Sequence, residues 1–180
     1  TFGRAKRVWW RCPKGHEYQA TINHRSGGTN CPMCNSGRQT SFAEQATFYY
    51  VKKAFPDAIS RYKKIFKHGM ELDIYIPCLK IAIEPGNWFL HKKSLNRDKT
   101  KRERCKEKSI RLITIYDKFP LTEQIPFEND CFVFNDDLNK ADHSVIRDLV
   151  KRLFEITNIQ YGLSDSQWST IEKQSYENAK

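Results

Sequence analysis

The 180-residue chain has no long apolar run. No stretch approaches the roughly 18 consecutive apolar residues that span a bilayer, and no signal-peptide pattern opens the chain. Acidic residues are scarce: 21 Asp+Glu stand against 31 Lys+Arg, for a formal charge of +10. That imbalance favours a polyanionic partner, nucleic acid before anionic membrane. Internal repeats and low-complexity tracts are absent, which sets aside solenoids and disordered arrays. Disulfide-like spacing is absent too. Of six cysteines, three crowd into one short window beside a histidine, while Cys78, Cys105 and Cys131 lie scattered. Such usage belongs to metal sites in a reducing compartment. A cytoplasmic, intracellular protein with no membrane partner is therefore expected. The chain opens at Thr1 without a Met, as a piece of a longer protein would. Its length accommodates a small module followed by a medium domain.

The small module spans residues 1–38. VWWRCPKGHEYQATINHRSGGTNCPMC holds Cys12, His16, Cys31 and Cys34. CPMC is a knuckle of two thiolates, and CPKGH adds a thiolate and an imidazole around a bend at Gly15. Three thiolates and one imidazole suit tetrahedral Zn²⁺. So short a segment buries little core, so a metal staple is physically motivated. His24, ahead of a Gly turn, is the weaker competitor for the fourth position. Arg4, Lys6, Arg7, Arg11, Lys14, Arg25 and Arg38 oppose only Glu17 in this module, which reads as a clamp on a DNA backbone. The segment resembles a zinc-ribbon domain of treble-clef type. The aromatic pair before the first Cys, the GHEY, Arg25 and the CPMC carry the resemblance, which implies a structural metal.

Residues 39–160 read as an α/β domain, and 161–180 as a C-terminal helical extension. TSFAEQATFYYVKKAF has helical periodicity, and Ser41 followed by Glu44 forms a capping box. MELDIYIP alternates as a strand, Pro77 and Cys78 turn the chain, and KIAIE is a short buried strand. Asp73 then lies near the middle of one strand and Glu84 at the end of its neighbour. Two acids on adjacent strands of an apolar sheet are costly unless a cation sits between them, and Mg²⁺ takes one or two carboxylates with waters. Pro85 and Gly86 are expected to end the strand, since Pro cannot donate to a ladder. Between Lys92 and Arg111 ten basic residues meet three acidic ones, a face on which a duplex could lie. IRLITIYD is a buried strand, and NDCFVFN a short one. KADHSVIRDLVKRLFEI is an amphipathic helix with Val145, Leu149, Leu153 and Ile156 on one side.

TSFAEQA, MELDIYIP, KIAIEPGNWFLHKK and RDKTKRERCKEKSIRLITIYD together resemble a nuclease of the PD-(D/E)XK, or restriction-endonuclease-like, superfamily. The nearest flavour is the very-short-patch-repair endonuclease. The resemblance covers about Ser41 to Asp117. It implies a central mixed sheet flanked by helices, and Mg²⁺- or Mn²⁺-dependent hydrolysis of DNA phosphodiester bonds. It implies Asp73 and Glu84 as metal ligands, with Glu44 and His91 as further catalytic residues. Arg97, Asp98 and Lys101 match the basic helix that follows. DNA contacts are expected from Arg4, Lys6, Arg7, Arg25, Lys92, Lys93, Arg97, Lys99 and Arg102. The sequence departs at Gly86, where typical members carry Lys. The Lys role then falls to Lys101, with Lys92 or Lys93 second, or to His91; otherwise the site is inactive and the protein is a DNA-binding or assembly subunit. Double-strand cutting would call for a homodimer or a larger nuclease, defence or transposition assembly, of bacterial or phage origin.

Overall fold

The computed structural model describes residues 6–26, 31–32, 41–66 and 70–178. The chain divides into two compact units, Thr1–Ser41 and Phe42–Lys180. Arg4, Cys34 and Arg38, singled out from the sequence, lie outside the described residues. Among the described residues no helix is long and apolar enough to cross a membrane.

Among its described residues the small unit has an antiparallel hairpin, β1 (Arg7–Arg11) and β2 (Glu17–Thr21), followed by one helical turn, α1 (Ile22–Ser26). The register sets Arg7 opposite Thr21 and Arg11 opposite Glu17. Gly15 closes the hairpin loop at φ +82°, a conformation open to a residue without Cβ. Its N–H donates to the Cys12 carbonyl at 2.8 Å. Trp10 is fixed by its indole N–H on the Ala20 carbonyl (3.1 Å), with the Arg25 guanidinium 5.4 Å from the ring centre. His24 is exposed on α1.

The larger unit is built on a five-stranded mixed sheet in the order β3–β4–β5–β6–β7. β3 (Ile59–Tyr62), β4 (Leu72–Ile76) and β5 (Ile81–Asn87) are antiparallel neighbours. β6 (Arg111–Asp117) and β7 (Cys131–Val133) run parallel to β5. One face carries Ile74, Ile76, Ile83, Ile113 and Ile115 into the main core. That core is completed by α2 (Phe42–Ala54), α5 (His143–Ile156) and α6 (Asp165–Asn178). Trp168 and Ile171 of α6 are buried there, with Trp168 beside Tyr50 and Tyr161. The opposite face carries Ala82 and Leu112, packed with Leu72, Ile110 and Cys105. Cys105 belongs to α4 (Leu95–Glu107), which reaches β6 across this face. A short helix, α3 (Trp88–His91), joins β5 to α4.

Two expectations need correction. β5 does not stop at Pro85: it runs through Pro85 and Gly86 to Asn87, paired with β6 as far as Asn87 opposite Asp117. β4 pairs with β5 only up to Ile83, so no β4 partner needs the donor that proline lacks. Asn87 Nδ2 then ties to Asp117 Oδ1 (3.0 Å), whose other oxygen accepts the Leu138 N–H (3.1 Å). The second correction concerns α5. Asp142 caps it, accepting from the Ser144 and Val145 N–H groups. Its buried side is Ile146, Val150, Leu153 and Phe154, while Val145 and Ile156 are exposed. The sheet below selects a stripe turned by about one residue from the one periodicity suggested.

Chemical denaturation tests this face. Ile146→Ala should cost about 2–5 kcal/mol through lost burial and a residual cavity. Val145→Ala should cost under about 1 kcal/mol. The reverse order would mean that α5 is rotated from the orientation described.

Candidate functional site

In the small unit the hairpin loop delivers Cys12 and His16 to one point. The Cys12 N–H donates to the His16 carbonyl at 3.0 Å, which closes the loop. Cys12 Sγ is 3.5 Å from His16 Nδ1, and the buried Cys31 Sγ is 3.8 Å from the same nitrogen. Among the described residues this is the one group of three Cys, His, Asp or Glu whose ligand atoms all lie within 4.8 Å of one another. Two thiols and an imidazole converging in this way form a donor set for zinc. Cys34, the fourth ligand expected from the sequence, lies outside the described residues.

In the larger unit β4 and β5 present two acids to each other. Ile74 stands opposite Ile83, and Tyr75 opposite Ala82. Continued one residue, that register sets Asp73 opposite Glu84, on the α4 side of the sheet. The Glu84 carboxylate accepts the Asp73 backbone N–H through Oε1 (3.1 Å). Its Oε2 accepts from the ammonium of Lys101, which α4 lowers onto the sheet. Glu84 and Lys101 are both buried, at 4% and 8% exposure. A cavity of about 250 Å³ opens over them, lined also by Asp73, Glu71, His91 and Asp98.

Burial, then the neighbouring Glu84 charge, push the Asp73 carboxyl up to about 8; Lys101 opposes this, while Glu44 and Glu71 add to it. Glu44 of α2 is therefore close enough for its charge to reach Asp73. Glu71 is tied to Arg61 (3.1 Å) and Lys63 (3.4 Å). Burial alone would weaken the Lys101 ammonium, but Glu84 and Asp73 outweigh it and raise its pKa. Lys101 thus serves Glu84, while Asp73 keeps its proton up to about pH 8.

His91 stands at the rim. Its Nδ1 lies 2.7 Å from Asp98 Oδ2, which also accepts the Tyr116 hydroxyl (3.0 Å). An ionised carboxylate only accepts, so Nδ1 carries a proton and points it at Asp98. Burial would raise the Asp98 pKa, but the bond to His91 holds it below the ordinary carboxylate range. The ring lies against Gly86: a Cβ built there would run into the His91 imidazole, Nε2 first. The strand position two residues after Glu84 is therefore bare because a histidine from α3 fills its space. Asp98 and Tyr116 are the members that sequence reasoning left without a role here. Asp98 was visible only as part of the RDxxK run, and Tyr116 looked like one more buried strand residue.

The basic candidates divide. Lys93, Arg97 and Lys99 are exposed around α3 and α4. Lys92, also exposed, pairs with Glu123 (2.7 Å), which accepts the Trp88 indole N–H as well. Arg102 is turned inward, donating to Thr114 Oγ1 (2.7 Å) and to the carbonyls of Leu112, Asn129 and Asp130, with Phe127 under its guanidinium. Those bonds give Arg102 a structural job. Lys6, Arg7 and Arg25 belong to the small unit, the first two exposed and Arg25 half-buried.

A family model described as a probable treble-clef zinc finger domain matches residues 1–37. A domain of that kind points to nucleic-acid or protein binding. Neither the curated proteins nor the solved structures give a match.

The raised Asp73 pKa fixes a sign. In buffer free of added divalent ions the folded state keeps this proton after the unfolded chain has lost it. The proton's contribution to stability is complete below about pH 4 and drains away as the pH rises to about 8. Asp73→Asn removes the titration, so the melting temperature of the variant relative to the parent should climb across that window. A flat difference from pH 4 to pH 9 would show that Asp73 ionises normally.

Proposed function

We propose that this protein is a metal-dependent DNA endonuclease of the PD-(D/E)XK kind, with the zinc-finger unit assisting DNA binding. The observation that carries the reading is Asp73 facing Glu84 across β4 and β5, with Lys101 from the following helix on the same carboxylate. Asp73 and Glu84 are the residues that would hold Mg²⁺ or Mn²⁺. When bound, such an ion polarises a phosphoryl oxygen and acidifies a coordinated water. Lys101 keeps its charge and steadies the negative charge that develops on the phosphate. His91, oriented by Asp98, has a nitrogen able to take or give a proton. Glu44 adds negative charge to the ligand side of the site.

The missing strand lysine fits this reading. His91 occupies the space above Gly86, and the ammonium arrives from α4 instead. The cations of the small unit, Lys6, Arg7 and Arg25, and those of α3 and α4, Lys93, Arg97 and Lys99, supply phosphate contacts, so binding weakens steeply with salt. A second reading is a DNA-binding subunit without catalysis. The buried Lys101–Glu84 ion pair favours it, because a lysine already neutralises one of the two acids.

Cleavage of plasmid and oligonucleotide duplex with Mg²⁺ or Mn²⁺ separates the two. The parent should cut, and Asp73→Ala, Glu84→Ala and Lys101→Ala should each lose about 10²-fold or more in rate. Gly86→Ala, which displaces the His91 ring, should fall to the level of His91→Ala. No divalent-dependent cleavage by the parent, or equal cleavage by all of these proteins, would leave the binding reading.

A further inference from the structure

A second cleft lies along α4, with a volume of about 670 Å³. On the side of the β3–β4 connection it is lined by Ile65, Phe66 and Met70, all half-buried. On the helix side it is lined by Arg97, Arg104 and Lys108, all exposed. Arg97 and Arg104 lie on one stripe of α4 and Lys108 caps its end, so the three span about 16 Å at 1.5 Å per residue. Arg97 also lines the cavity over Asp73 and Glu84, so the cationic stripe begins at the acidic site and leads away from it. The acid at this cleft, Glu107, is engaged by Arg104 (3.0 Å).

We infer that this cleft takes an unpaired DNA strand leading away from the cleavage site. The preferred substrate would then be a duplex with a single-stranded arm, bound more tightly than an uninterrupted duplex. The inference rests on the nuclease reading above and adds the substrate class. The two sides of the cleft ask for different chemistry. The arginines and lysine match a line of phosphates, and the apolar side with Phe66 matches the faces of bases. A paired base shows its faces only to its stacking neighbours, so a cationic stripe alone would serve a duplex. An aromatic and aliphatic wall facing that stripe serves bases that have left the stack. The volume falls in the range of an ordinary ligand site, enough for a short run of nucleotides.

Fluorescence anisotropy without added divalent ions tests binding apart from cleavage. The probes are a blunt duplex, the same duplex with a six-nucleotide DNA arm, and the same duplex with an RNA arm. The DNA-armed duplex should bind about tenfold more tightly than the blunt one. Phe66→Ala, and independently the surface change Arg104→Glu, should remove most of that preference while changing blunt-duplex binding far less. An iodouridine placed in the arm should crosslink to the peptide containing Phe66. Equal affinity for blunt and armed duplexes, or an equal loss on both from the variants, overturns the inference, as does a stronger preference for the RNA arm. A preference for the arm in a protein that never cuts would sink the nuclease reading and leave the cleft assignment standing.

Discussion

Two carboxylates facing each other across a sheet set the terms for the larger unit. Asp73 and Glu84 come from neighbouring antiparallel strands and lie on the face that α4 covers. Placing them together is unfavourable unless positive charge is nearby. The protein supplies Lys101 and commits it to Glu84. Asp73 is left to hold a proton well above the usual carboxylate range. Such a perturbed carboxyl is common where ligand or catalytic chemistry is built. The surroundings follow from the same constraint. α3 turns immediately after β5 so that His91 can lie on Gly86, and Asp98, one turn into α4, receives its Nδ1.

The small unit solves a different problem. A unit that ends at Ser41 is near the length below which an apolar core seldom suffices without a metal, a disulfide or a partner. Cys12, His16 and Cys31 converge where a larger protein would have a core. A metal would thus serve the two units differently, the fold of the first and the chemistry proposed for the second.

Much of this could be read in the residues. Alternation in MELDIYIP and the apolar KIAIE placed β4 and β5, and the interval between Asp73 and Glu84 already set them on adjacent strands. CPKGH and the distant Cys31 indicated a metal-type cluster. What the sequence hid depends on neighbours. Pro85 looked like a terminator because a ladder donor is missing, but β4 has already parted from β5 at that point. The buried face of α5 is chosen by the sheet beneath it, and Ile146 won over Val145 by about a third of a turn. Arg102 counts as a basic helix residue in one dimension; in three it turns into carbonyl groups near β6 and β7. Asp98 and Tyr116 become meaningful only once His91 lies between them and Gly86.

The nuclease chemistry proposed requires that Asp73 and Glu84 hold one divalent cation. Calorimetric titration of Mn²⁺ into zinc-loaded protein at pH 8 tests it most directly. The account predicts one ion bound per chain in the parent, with the heat lost in Asp73→Ala and in Glu84→Ala and the zinc content unchanged. An identical isotherm for the parent and both variants, or no binding at all, would contradict it.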